Sequence, residues 1–177
     1  REFFDGFSDG LEQLTEAMTA GPDAEQERHD IALATLLRIV FLYFVQRRGA
    51  LDDDRRFVVR HLRQARGRGE SFYRTVLRPL FFGALNQPVE SRPAEAKGLG
   101  EIPFLNGGLF EPLALEEVHP ELDVPNEVWG PIIEGLLERF YFATTPSEGA
   151  DETHAVDPEM LGKVFEDRKR GEIHAVR

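Results

Sequence analysis

Phe4, Phe7, Leu11, Leu14 and Met18 recur at alternating steps of three and four, which predicts a helix from about residue 2 to 20 with one apolar stripe. Gly21-Pro22 stops it, and Asp23 stands where a capping side chain would open a second helix. In that helix the stretch from Ile39 to Val45 is apolar on every side, so it must be surrounded by other elements. The run ends at "QRRGALDDD", where Gly49 supplies a C-terminal stop and Asp52 to Asp54 offer a cap and favourable charge for the next helix. There, Arg56, Arg60 and Arg63 fall on one face, with Val58, His61, Leu62 and Ala65 roughly opposite.

A further helix restarts near Ser71, and Pro79 should kink or split it, because its ring removes a donor and clashes with the preceding turn. "PVESRPAEAKGLGE" (88–101) reads as an exposed connector. "IPFLNGGLFE" (102–111) sets Asn106, Gly107 and Gly108 between two short apolar runs, the signature of a tight turn anchored by Phe104, Leu105, Leu109 and Phe110. Beyond it, Asn126 stands as a cap for a helix whose stripe is Trp129, Ile132, Ile133, Leu136, Leu137 and Phe140. Asp157 and Pro158 signal a last helix through "VDPEMLGKVFEDR". The pattern predicts a mainly α fold, a multi-helix bundle around a long buried central helix, with a short hairpin or irregular insert at 102–124. It fits one domain over 1–177, with 88–101 as the place for any subdivision.

Composition adds three constraints. A chain of 177 residues that is 41% hydrophobic can build a core of its own. No cysteine is present, which excludes disulfides, zinc ribbons and thiol chemistry and makes a reducing cytoplasm the natural compartment. The most apolar run, Ile31 to Val45, is 15 residues long with Arg38 in its middle, which is short for a membrane span and reads as a buried core helix.

Charge is unevenly spread. Residues 55–78 carry eight arginines (Arg55, Arg56, Arg60, Arg63, Arg66, Arg68, Arg74, Arg78) against Glu70 alone, a local +7 in a chain of net charge −11, which leaves −18 elsewhere. Arginines on one helical face can span neighbouring phosphates of a duplex, so Arg56, Arg60, Arg63, Arg66 and Arg68 are the candidate DNA-backbone contacts. The competing reading is a solvated face paired with the many acids, and local spacing does not separate the two.

Other chemistry finds little support. "LNGGLF" lacks the Lys and Ser/Thr of a phosphate loop. His29, His61, His119, His154 and His174 are scattered without zinc-ligand spacing. The nuclease-like strings Glu95 to Lys97 and Asp167 to Lys169, the latter with Asp157 upstream, fall in a connector and at a helix end, where carboxylates are not held together for a metal. No catalytic, cofactor-binding or metal-binding residue is assigned.

Taken together, "LRIVFLYFVQRRGAL", "FYRTVLRPLFFGALN", "IPFLNGGLFE" and "DPEMLGKVFE" resemble, in this order, the helical region preceding the catalytic domain of bacterial restriction-modification DNA methyltransferases, the fused type IIG and IIL enzymes and their phage-exclusion relatives. The resemblance covers about residues 30–170. It implies a parent that methylates adenine N6 with S-adenosylmethionine, flips its target base, and carries a methyltransferase domain after this region and often a nuclease before it. The Tyr-Thr-Pro, glycine-rich and Asn-Pro-Pro-Tyr motifs of that catalytic domain are not in these residues, so the resemblance carries no catalytic residue onto this chain. It implies a non-catalytic connector that positions neighbouring domains and contacts DNA, in the cytoplasm and without a membrane; the rival is a protein-interaction scaffold that never touches DNA.

Overall fold

A computed structural model describes residues 1–142 and 155–156 and is mainly α-helical. Helix α1 (Glu2–Ala17) buries Phe3, Leu11 and Leu14, while Phe4 is exposed. Of the predicted stripe, Leu11, Leu14 and Met18 are buried and Phe7 is half-buried against the core, so only Phe4 departs, with Phe3 buried in its place. Gly6 and Gly10 let Leu136 and Ile132 approach so closely that a Cβ on Gly10 would meet Ile132 Cγ1 at 3.1 Å. The helix ends at Ala17 because Arg28 takes its last carbonyls, donating from Nε to Thr15 O (3.0 Å) and from Nη2 to Glu16 O (2.9 Å) and Met18 O (2.7 Å). Thr19 then pairs with Asp123 through two backbone hydrogen bonds of 2.8 and 2.9 Å.

Helix α2 (Glu25–Arg47) follows Ala24, so Asp23 does not cap it. Ile31, Ala32, Ala34, Ile39, Val40 and Leu42 are wholly inaccessible, as expected of the central helix, but the stretch from Ile39 to Val45 is not surrounded on every side, since Phe41 is 38% exposed and Val45 half-buried. By length and composition α2 could cross a membrane, but 83% of its apolar window is buried inside the protein. Gly49, at φ +76°, ends the run.

In the turn before helix α3 (Phe57–Arg68), Asp54 Oδ1 accepts the Arg56 N–H (2.9 Å), and the buried Gln46 of α2 accepts the Val58 N–H (3.0 Å). Val58, Leu62 and Ala65 are buried and His61 is half-buried, as their spacing predicts. Gly69 closes the helix in the left-handed region (φ +66°).

The next helix, 72–85, is not split at Pro79. It widens instead, winding as a π-helix over Tyr73–Leu77 and Pro79–Leu85. The Arg78 N–H reaches back five residues to Tyr73 O, and the wider turn makes room for a ring that an α-turn would drive into the carbonyl four residues earlier. Residues 88–101 are not an exposed connector throughout. They form the turns Val89–Ser91 and Ala94–Lys97, and Ala96 and Leu99 are buried, Ala96 lying where a Cβ on Gly83 would come within 2.9 Å of it.

The stretch 102–124 is irregular, with one helical turn, Ala114–Glu117, and no hairpin. The last helical segment among the described residues runs through Asn126–Trp129 and the π-wound Gly130–Glu134, followed by the tighter turn Leu137–Arg139. All six residues of its predicted stripe are buried. Asn126 does not cap this helix. It accepts the Phe72 N–H (2.9 Å) and donates to Glu70 O (2.7 Å), so it fastens the start of helix 72–85 instead. Tyr141–Phe142 pairs in parallel with Ala155–Val156. The helix expected from Asp157 lies outside the described residues.

Candidate nucleic-acid interface

Helix α3 turns its apolar side to the core and leaves its arginines outside. Arg56, Arg60 and Arg63 are 64%, 70% and 55% exposed, and Arg66 is 36% exposed. Arg68 is exposed in the last turn, where a cation also complements the helix dipole. All five candidates are exposed, but only Arg56, Arg60, Arg63 and Arg66 share a side of the helix, while Arg68 lies round toward His61.

Four of them meet carboxylates. Arg60 Nε lies 3.2 Å from Asp54 Oδ2, and Arg56 Nη2 lies 3.8 Å from Glu138 Oε1. Arg63 and Arg66 converge on Glu134, Arg63 donating from Nε and Nη2 to Oε2 at 3.3 Å each while Arg66 Nη1 contacts Oε1. These bonds, the Arg66 hydrogen bond first, hold the Glu134 carboxyl below the usual carboxylate range. Sequence reading missed Glu134 and Glu138, because their spacing shows a polar helix face without saying that this face meets α3. Asp54, two residues before Arg56, was already in view as a helix-start charge.

On the opposite side, His61 stacks on Phe57 with ring centroids 4.2 Å apart, and burial pushes its pKa below 6.5. It is a packed histidine. No group of three or more His, Cys, Asp or Glu side chains that could hold a metal exists among the described residues. Glu95 and Lys97 sit on the short turn Ala94–Lys97, and Asp157 and Asp167 to Lys169 lie outside the described residues.

The Asn106-Gly107-Gly108 segment is an exposed bend, with Gly107 at φ +141° and Gly108 at φ +83°. Phe110 is buried at its far end and Leu105 and Leu109 are half-buried, but Phe104 is 48% exposed and does not serve as an anchor. The bend is fastened from the core by Arg38. Its Nε donates to Leu109 O and its Nη2 to Glu111 O, each at 2.9 Å. Nη1 and Nη2 also fork onto Glu116 Oε2 and Oε1 at 2.9 Å, with both side chains almost fully buried. Phe81 and Phe82 flank the guanidinium at 5.6 and 5.1 Å. Glu116 also accepts the Leu113 N–H (3.0 Å), so one carboxylate orients both the arginine and the turn that carries it.

No family model matches the chain. No solved structure matches it. Among known proteins it is similar to one from Methanocaldococcus jannaschii named "Putative type II restriction enzyme and methyltransferase", with 30% identity over 152 residues. The alignment takes in 81% of this chain and 12% of that protein, so the chain spans about an eighth of its relative's length. The chain is thus related in sequence to a segment of a restriction-modification protein.

Proposed function

We propose that this chain is a non-catalytic helical connector domain of a DNA adenine methyltransferase of the restriction-modification type, working in the cytoplasm. It would hold neighbouring methyltransferase and nuclease domains in place and touch the DNA backbone through α3. The observation that carries the reading is the alignment of most of the chain with a small part of a much longer restriction enzyme and methyltransferase. S-adenosylmethionine would belong to the parent's catalytic domain. The described residues do not suit it, because the glycine pair at 107–108 sits in an exposed bend that opens no helix and follows no strand. No step of methyl transfer is therefore assigned to these residues.

The exposed arginine face supports backbone contact, which needs charge and reach and no base reading. The test is fluorescence anisotropy of a labelled duplex titrated with the 177-residue protein across salt concentrations. The expected result is weak, sequence-indifferent binding that falls with salt at a log–log slope of about −3 for three phosphate contacts, and is lost in the Arg56→Glu, Arg60→Glu, Arg63→Glu variant. The carboxylate partners of α3 favour a second reading, a scaffold that docks protein and never touches DNA. No binding at low salt, or binding indifferent to the three reversals, would select it.

A further inference from the structure

We propose that Arg63 and Arg66 form a two-guanidinium site for one phosphodiester, and that Glu134 fills it in the free protein as an internal substitute for the anion. The inference rests on the backbone-contact reading above and sharpens it to a single site.

Arg63 and Arg66 stand three residues apart on α3 and so share a face. Both turn toward the same acceptor on the helix 126–134. Arg63 addresses one carboxylate oxygen through two nitrogens at 3.3 Å, and Arg66 takes the other oxygen. A phosphodiester also presents two unbridged oxygens sharing one negative charge, and the arginine fork binds carboxylate and phosphate by the same paired geometry. Two guanidinium groups around one carboxylate leave one positive charge uncompensated. The other arginines of the face do not share this acceptor, since Arg60 pairs with Asp54 and Arg56 with Glu138.

The surroundings keep the site open to exchange. Glu134 is 33% exposed, so an incoming phosphate reaches the fork from solvent. Arg66 passes close over Gly130, where a Cβ would meet its Nη2 at 2.7 Å and the arginine tip would have to shift. Exposed pairs of this kind are weak enough for a competing anion to displace. Displacement would swing Glu134 outward and leave two arginines on one phosphate.

The experiment is the same duplex titration with Glu134→Gln, run beside Glu127→Gln. Glu127 is an exposed acid on the same helix that pairs with no arginine among the described residues, and its change alters net charge equally. Glu134→Gln is expected to tighten binding about threefold to tenfold and to steepen the salt slope by about one contact, with a much smaller gain for Glu127→Gln. Glu134→Asp, which keeps the charge but withdraws the carboxylate, should fall between wild type and Glu134→Gln. Adding Arg63→Ala and Arg66→Ala to Glu134→Gln should erase the gain.

Equal gains at 127 and 134 would overturn the site and leave only a general field. Wild-type binding that is steeply salt-dependent yet unchanged or weakened in Glu134→Gln would overturn this inference while the backbone-contact reading stands. No duplex binding by any variant would overturn both. Unchanged binding with a lowered melting temperature would make Glu134 a structural brace and also overturn the site.

Discussion

Arg38 is the only charged side chain within an otherwise apolar stretch of α2, and its guanidinium reaches two backbone carbonyls and a buried carboxylate. Removing one partner of such a pair leaves an uncompensated charge in the core, so Glu116→Leu should cost about 3–5 kcal/mol in urea unfolding. Arg38→Met combined with Glu116→Leu should recover much of that loss. Recovery should be incomplete, because the Leu109 and Glu111 carbonyls lose their donor. Gly107→Val and Gly108→Val test the bend itself. A Cβ at 107 meets nothing within 4 Å and one at 108 meets only Glu111 Oε2 at 4.0 Å, so the penalty is backbone strain, about 1–3 kcal/mol and a fall of about 2–4 °C in Tm per kcal/mol. His61 gives a pH signature. Burial favours its neutral form, so its contribution to stability is whole above 6.5 and is lost as pH falls through the lower folded value. Thermal melts should show that His61→Phe flattens this part of the stability profile.

At the scale of elements, Asn126 joins the start of helix 72–85 to the start of helix 126–134. Asn126→Ala should cost about 1–2 kcal/mol, with faster hydrogen exchange at the Phe72 amide, which loses its acceptor. The sequence made some of this visible and hid the rest for physical reasons. The burial of most of α2 and the stripe from Trp129 to Phe140 were legible, because a helix bearing that much apolar surface must be covered, although Phe41 is left exposed. The basic face of α3 was legible because Val58, Leu62 and Ala65 fix its opposite side. The π-winding through Pro79 was not, since a proline reads locally as a break and only packing on both sides keeps the helix running. The stripe of α1 was legible apart from Phe4, but not its closest approach to helix 126–134, because Gly6 and Gly10, which mark it, carry no hydropathy signal. The caps at Asp23 and Asn126 matched in residue type but not in geometry, and Arg38's partners lie more than 70 residues away, beyond any local pattern.

For the whole molecule, a strongly acidic chain presents a basic band whose arginines are partly neutralised by acids of its own fold. The band should therefore be electrostatically muted, and added salt should weaken its surface ion pairs while changing overall stability little. The extremities of the described helical body meet. Phe3 packs edge-on against Phe140 at 5.3 Å, and Arg139 reaches Glu2 at 3.3 Å. Polypeptide joined at Glu2 and at Phe140 would thus leave from one edge, as from the two legs of a staple. A force applied between those points would load the contacts between α1 and helix 126–134 from their outer end inward, and through Arg28, which holds the last carbonyls of α1, it would reach α2 as well. The arginine band is tied to the same loaded segment, since Arg63 and Arg66 hold Glu134 and Arg56 faces Glu138, so tension at that edge would be felt at α3 too.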